Sequence, residues 1–402
     1  KPFALMAFDL PTIEKYITLS HEARRLISPP QAPIILAEMT EAGKVLAQIV
    51  APDQTRLGFM LPYTPLHYLL LETAPGFPEV LVMTSGNLSE EPIASENAEA
   101  RECLESLADG FLMHDRPIYM RIDDSVVTML HEKPYIVRRA RGFAPQQLRL
   151  PWDAVPLLAT GTELKNTFCL TRERYAFVSH YIGDLENQET LSSFEQAIRH
   201  YERVFRIQPK ALACDLHPDY LATRYAQARN KEDSLPLVTV QHHHAHIASC
   251  LAENGWASPE PVIGLAYDGT GYGTDGSIWG GEILIAGYKE FTRRFHLAPL
   301  PLPGGDLAVR KPARMALSYL LAAGIDLEDQ TLAPVAYLTP AEAQAIRYQA
   351  RTGFNAPLTS SMGRLFDAVA TLIGLCEEIS YEAQAAMMLE SAADPLESGF
   401  YE

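Results

Sequence analysis

The stretch Gln241-His242-His243-His244-Ala245-His246-Ile247-Ala248 sets four histidines within five residues, after the apolar run Leu237 to Val240 and at the start of a helical pattern. A strand feeding a helix is the local plan this demands, and it constrains the chain to an α/β fold. His242 and His246 are four positions apart, so on a helix their rings share one face within reach of a single ion. A lone pair at this spacing is often structural. Four clustered histidines in mid-chain point to a metal instead. His243 and His244 then project away from that face and are expected to orient the ligands or the substrate.

Two imidazoles leave a site incomplete, and a third donor stands close by in Ala266-Tyr267-Asp268-Gly269-Thr270-Gly271-Tyr272-Gly273-Thr274-Asp275-Gly276. Asp268 is expected to end a strand and to offer a carboxylate oxygen, while Gly269, Gly271 and the glycines through Gly281 let backbone approach phosphate closely. The same residues suit a β-hairpin with an Asp-Gly turn around Thr274 to Ser277, and both readings can hold at once. A mixed imidazole and carboxylate set suits Fe or Zn better than Mg, because imidazole is a poor ligand for hard cations. Such an ion serves as a Lewis acid or template on a carbonyl or phosphate group.

At 402 residues the chain is too long for one ordinary core, and two or more domains are expected. Apolar β-rich runs at Ala32 to Leu36, Val80 to Met83, Tyr135 to Val137, Ala211 to Cys214 and Val262 to Tyr267 alternate with helical stretches at Glu91 to Leu107 and Leu191 to Phe205. The passage Ala144 to Pro156 is weakly patterned and precedes a new strand at Leu157 to Thr160, so the domain boundary is placed near residue 150. A third lobe is weakly suggested near Pro303-Gly304-Gly305.

A net charge of −17 repels a nucleic-acid backbone, which makes nucleic acid a poor partner. The one dense basic cluster, Arg138, Arg139 and Arg141, is sized for a single phosphate chain. Five scattered cysteines without a C-x-x-C pair suggest neither a disulfide framework nor a zinc knuckle, and a cytoplasmic setting fits them. No apolar run reaches the roughly 18 residues of a membrane helix, so no membrane association is expected. The opening Lys1-Pro2-Phe3 lacks an initiator Met and any leader pattern, and reads as the start of an excised fragment.

In the first part of the chain, Val82-Met83-Thr84-Ser85-Gly86-Asn87-Leu88-Ser89 follows an apolar strand and is expected to lead into a helix that opens with acids. Free N–H groups there, with the Ser85 hydroxyl and Asn87 amide, suit phosphate or carboxylate oxygens. A plain capping turn with Ser89 or Asn87 as N-cap is the competing reading. A second set, Arg121-Ile122-Asp123-Asp124-Ser125-Val126-Val127 followed by Arg138-Arg139-Ala140-Arg141-Gly142, strengthens the first. The arginines can fork onto phosphate oxygens, and Asp123 or Asp124 can hold magnesium or a ribose hydroxyl. A solvated basic face is the bland alternative.

These residues, with Lys1-Pro2-Phe3-Ala4, Ser28-Pro29-Pro30, Leu61-Pro62-Tyr63-Thr64-Pro65-Leu66-His67 and the run Arg138 to Pro145, resemble the YrdC-like, carbamate-activating domain of the HypF family of hydrogenase-maturation carbamoyltransferases over residues 1 to 147. The resemblance implies that Ser85 and Asn87 fill the family's S-x-N nucleotide motif, with Ser125 and Arg138 near the phosphates. The family's K-x-R motif belongs upstream of Lys1, and so do an acylphosphatase-like domain and a cysteine-rich zinc module.

From about residue 157 onward the chain is similar to the actin-like carbamoyl-transfer domain of the same family. Gly161 to Asn166, Ile182 to Leu185, Asp215 to Tyr220, Trp279 to Glu282, Pro301 to Asp306, Ser361 to Ala368 and Tyr381 to Ala386 carry that likeness. It implies a YrdC-like twisted mixed sheet at 1–150, followed at 151–402 by an actin-like ATPase fold of the sugar kinase and Hsp70 type. It implies His242, His246 and Asp268 as metal ligands and Gly363 to Asp367 against the nucleotide; His243, His244 and Lys165 are the candidate catalytic residues. A further family Asp in a D-G-G motif has no match before Glu402.

The implied reaction forms carbamoyl-adenylate from carbamoyl phosphate and ATP. The carbamoyl group then passes to the C-terminal cysteine of a HypE-type acceptor protein. An O-carbamoyltransferase acting on a small hydroxyl compound is a rival of the same chemistry, although such enzymes place the actin-like domain first. A non-catalytic nucleotide- or RNA-binding regulator is a rival of another class, against which the acidic charge counts.

Overall fold

Three mixed sheets organise the chain, as shown by a computed structural model that describes residues 2–399 apart from 29, 73, 89, 90, 326, 328 and 395. Lys1, Pro29 and Ser89 of the sequence motifs lie outside the described residues. The chain divides into two units, one formed by residues 2–240 with 252–257 and the other by residues 241–251 with 258–399.

The first sheet comprises β1 (Ala4–Ala7), β2 (Ile34–Glu38), β3 (Arg56–Met60), β4 (Val80–Val82), β5 (Val126–Leu130) and β6 (Lys133–Arg138), in the order β4-β1-β3-β2-β5-β6. Parallel pairs β1–β3 and β2–β5 alternate with antiparallel pairs, which gives the mixed sheet expected. Leu5, Ile35, Leu57, Phe59 and Val127 point from it into a core closed by Ile13 and Ile27 of two short helices and by Ile17 between them.

The second sheet, in the order β10-β9-β7-β8, is built from β7 (Leu148–Ala159), β8 (Cys169–Val178), β9 (Ala211–Asp215) and β10 (Leu237–Val240). The helix Gln188–Phe205 packs on it through Phe194, Ala197, Ile198 and Tyr201, spaced three and four apart as one apolar face requires. Asn187 caps its start by accepting from the Thr190 N–H.

The other unit carries β11 (Val262–Tyr272), β12 (Ile278–Ala286), β13 (Phe291–His296), β14 (Leu300–Pro301) and β15 (Leu358–Thr359). β11 and β12 form the antiparallel hairpin that the Asp-Gly sequence predicts. Its turn closes with Gly276 at φ +78, a conformation that favours glycine, and Asp275 Oδ1 accepts from both the N–H and the hydroxyl of Ser277.

Three local expectations need correction. The new strand expected at Leu157 begins earlier, because Leu148–Ala159 runs as one strand whose register against β8 shifts twice. Pro151 and Pro156 lack the N–H a ladder needs and interrupt the pairing without ending the strand. The helix expected at Glu91 to Leu107 covers only Asn97–Leu104, since Glu96 and Glu99 form a capping box that starts it there. Finally, the glycines at 304 and 305 begin no new lobe: β15, far downstream, pairs with both β12 and β14 and keeps the chain in the same sheet.

Candidate metal centre and nucleotide-site residues

The helix His242–Glu253 starts directly after β10, so the histidine run occupies its first turns. His242 Nε2 lies 3.2 Å from His246 Nε2. Asp268 Oδ2 lies 3.0 Å from the first and 3.3 Å from the second. Bonds of about 2.0–2.1 Å to a tetrahedral ion place ligand atoms roughly 3.3 Å apart, so the three atoms sit as the edges of such a polyhedron would require. These three residues also form a set whose ligand atoms all lie within 4.8 Å of one another. His246 is well exposed, which leaves the cluster open on one side, as a catalytic rather than a structural metal site requires. The donor set therefore fits a transition metal.

Asp268 does not end β11 as its sequence suggests. It sits within the strand at an irregularity, where pairing with β12 jumps from Tyr267 to Gly271. The irregular segment turns the carboxylate toward the histidines while Oδ1 accepts from the Gly269 N–H at 2.6 Å. Burial on its own would push the Asp268 carboxyl up, but hydrogen bonds and attraction from His242 and His246 outweigh it and hold the group far below the usual carboxylate range. Gly271 makes room for the cluster: a Cβ there would stand 2.4 Å from His243 Cε1 and 2.8 Å from His242 Cδ2.

His243 departs from expectation. It is fully buried and turns toward the cluster, with Nε2 3.7 Å from Asp268 Oδ2. Burial first, and then the charge of His242, pushes its pKa down to about 4. His244 does face elsewhere, with Nε2 2.7 Å from the Gly287 carbonyl and its ring beside Phe291.

A second layer holds the ligand strand. Ser361 caps the helix Met362–Leu372 and its hydroxyl lies 3.0 Å from the Asp268 carbonyl and 2.8 Å from that of Gly269. Gly363 lets this helix start come close, since a Cβ there would meet Gly269 Cα at 2.9 Å. Asp367, one turn on, is buried, and burial pushes its carboxyl up although Arg364 Nη2 lies 2.9 Å away. That contact is close but out of line for a hydrogen bond, and Arg364 Nε and Nη1 have no hydrogen-bond partner among the described residues. On the hairpin, buried Glu282 accepts from Arg293 Nε at 2.6 Å and from the Ser360 hydroxyl at 2.5 Å, and Arg293 lies over the Trp279 ring.

In the other unit, Ser85 and Asn87 follow β4 but do not meet a helix start, which comes only at Asn97. The physical reason is the capping box at Glu96. Asn87 Nδ2 instead donates to the carbonyls of Leu88 and Glu91, and the Ala94 N–H donates to Gly86. Arg138 pairs with Asp123 at 2.8 Å and donates from Nε to the Asp124 carbonyl. Arg141 pairs with Asp124 at 2.8 Å, donates to the carbonyls of Gln31 and Ala32, and lies 3.3 Å over the Tyr63 ring. Arg139 is half-buried, and burial pulls its pKa down. Ser125 is fully buried, accepting from the Ala140 N–H and donating to the Arg141 carbonyl, so its hydroxyl shapes the arginine loop. Lys165 adopts φ +50 and its backbone N–H donates to Asp184 Oδ1.

Sequence reasoning gave no role of their own to Gln241, Tyr63, Glu282 and Arg293. Nothing in the sequence singles out Gln241, because glutamine is not among the residues that helix N-caps favour, yet its Oε1 accepts from the His244 N–H.

No helix among the described residues is long and apolar enough to cross a membrane. Family models described as "Telomere recombination", "HypF Kae1-like domain" and "Carbamoyltransferase, Kae1-like Domain, second subdomain" match residues 1–140, 153–253 and 264–401. The chain is 45% identical to carbamoyltransferase HypF2 of Cupriavidus necator, over 98% of this chain and 50% of that protein. It is 46% identical to carbamoyltransferase HypF of Rhodobacter capsulatus, over 98% and 52%. The chain thus spans about half the length of the curated relatives it matches. It superimposes on a full-length HypF crystal structure in the phosphate- and nucleotide-bound form with a TM-score of 0.87 and 44% identity, over 97% of this chain and 60% of that one. Against T. kodakarensis HypF the TM-score is 0.89 at 36% identity, over 97% and 51%.

Proposed function

Since the chain belongs to the HypF carbamoyltransferase family, we propose that it performs two steps of an ATP-dependent carbamoyl transfer. In the first, carbamate, set free from carbamoyl phosphate by water with release of inorganic phosphate, attacks the α-phosphate of ATP, forming carbamoyl-adenylate and releasing pyrophosphate. In the second, a thiolate attacks the carbamoyl carbon and AMP leaves. The acceptor is the C-terminal cysteine of a HypE-type protein, and the setting is the cytoplasm.

We assign the first step to a domain ending near residue 150, where the first sheet gives way to the second. Ser85 and Asn87 bind nucleotide there, and Arg138, Arg139 and Arg141 with Ser125 shape the phosphate side. Asp123 and Asp124 pair with the arginines, and either would hold magnesium or a ribose hydroxyl when ATP is bound. The second step belongs to the histidine cluster, with Gly269, Gly271, Gly363 and Asp367 beside the nucleotide. His244 fixes the helix start through the Gly287 carbonyl, and Lys165 is kept as a candidate for the transfer.

One observation carries this reading: the convergence of His242, His246 and Asp268 at ligand spacing within an open cluster. Those residues would hold iron or zinc, which when bound supplies Lewis-acid polarisation of the carbamoyl group. Pyrophosphate exchange dependent on carbamoyl phosphate, measured with and without acceptor protein, tests the proposal. Exchange and acceptor carbamoylation support it. Exchange with carbamoylation of a small hydroxyl compound alone would favour an O-carbamoyltransferase, and nucleotide binding without exchange a regulator.

A further inference from the structure

His243 Nε2 is a buried polar atom with no hydrogen-bond partner among the described residues, and it is aimed at the metal-ligand cluster. Its protonation follows from its neighbour Gln241. The His244 backbone N–H can only donate, and it lies 3.0 Å from Gln241 Oε1. The Tyr272 carbonyl can only accept, and it lies 3.1 Å from Gln241 Nε2. Both contacts fix the amide in one orientation, so the NH2 group must also be what faces His243 Nδ1 at 3.1 Å. An Nδ1 that accepts carries a lone pair. In the neutral ring, which burial favours, the proton therefore sits on Nε2.

A buried N–H without an acceptor costs free energy unless a ligand completes it. Asp268 Oδ2 stands at 3.7 Å, beyond hydrogen-bond length, and already faces His242 and His246. His243 has no place as a fourth metal ligand, because its Nε2 presents a hydrogen where coordination needs a lone pair.

We propose that Gln241 locks His243 as the Nε2–H tautomer, and that this N–H donates a hydrogen bond to an oxygen of a small planar oxyanion or acyl group held at the His242, His246 and Asp268 centre. His243 is then a binding residue for the ligand's oxygen, and Gln241 is a positioning residue acting through it. The inference rests on the proposed metal centre and deepens it by naming the class of group that it receives.

Two measurements on the full chain test it. Two-bond 15N–1H correlation spectra of the protein should show His243 in the Nε2–H form, and Gln241→Glu, which offers only acceptors to Nδ1, should convert it to Nδ1–H. An Nδ1–H signal in the wild-type chain overturns the proposal. Separately, bicarbonate is titrated into cobalt(II)-loaded protein and followed by the visible cobalt bands. His243→Phe should take up cobalt as the wild type does yet bind bicarbonate about 10- to 100-fold more weakly, the loss expected for one charge-assisted hydrogen bond. His243→Gln, whose amide N–H reaches the same position, should recover most of the affinity. Equal bicarbonate affinity in wild type and His243→Phe overturns the inference and leaves the metal centre standing. Failure of the wild-type chain to take up cobalt overturns both.

Discussion

His242 Nε2 and His246 Nε2 face each other at 3.2 Å across one turn of a helix, a distance at which one ring can donate to the other or both can turn to a shared partner. Asp268 Oδ2 is that partner in the structure, and an ion would sit among all three atoms. The double variant His242→Ala, His246→Ala should therefore lose bound iron or zinc on elemental analysis while keeping pyrophosphate exchange. Asp268→Asn preserves size and reach but removes the charge, and should weaken metal binding by at least tenfold. Unchanged metal content in either protein would return these residues to a structural role.

Arg138 is predicted to serve adenylation alone. Its guanidinium sits on Asp123 at the end of β6, in the unit that does not contain the histidine cluster. Losing one charge-assisted phosphate contact costs roughly 1.5–3 kcal/mol, or about 10- to 150-fold. Arg138→Ala should lose that much pyrophosphate exchange yet still transfer from supplied carbamoyl-adenylate. A parallel fall of both activities in a folded variant would contradict the division of labour.

The parts of the site that could be read in advance are those fixed by local geometry. The i, i+4 spacing of His242 and His246 needs only a helix, and the Asp-Gly hairpin needs only its turn. What sequence does not reveal is set by distant contacts: Ser361 reaches the Asp268 carbonyl from 93 positions away, and Ser360 reaches Glu282 from 78. Ser85 and Asn87 show the opposite failure. Their residue types suit a helix start, but the capping box at Glu96 and Glu99 is the stronger local signal and puts the helix ten residues later. The α/β class was readable because alternating apolar runs report burial directly, whereas the mixed sheet followed from the family resemblance. The length of β7 was not readable, because its prolines mimic a linker.

Gly271→Ala should damage the cluster through sterics alone. The added methyl would lie 2.4 Å from one imidazole ring and 2.8 Å from another, and His243 is too buried to swing aside. Overpacking of this kind costs about 1–3 kcal/mol, so both melting temperature and cobalt affinity should fall. A variant that lost stability but bound cobalt normally would show that the rings relax without moving their Nε2 atoms.

Glu282 gives a pH-dependent prediction. Burial raises its carboxyl, but the hydrogen bonds from Arg293, Ser360 and the Gly280 N–H outweigh this and leave it below its ordinary value of 4.5. A carboxylate with a depressed pKa adds stability that is complete above the unfolded value and is lost as pH falls through the folded one. Glu282→Gln should therefore destabilise the chain most at neutral pH, where it leaves Arg293 beside Trp279 with Asp275 as its remaining counter-charge among the described residues. Breaking a buried pair from one side costs about 3 kcal/mol at the low end of the usual range, and the surviving Asp275 contact argues for that end. Urea unfolding of both proteins at pH 7 and pH 4 measures the effect. The gap between wild type and variant should narrow at the lower pH, as Glu282 begins to take up a proton in the unfolded state and its advantage there disappears. A gap of the same size at both values would mean that Glu282 supports the hairpin by shape and not by charge.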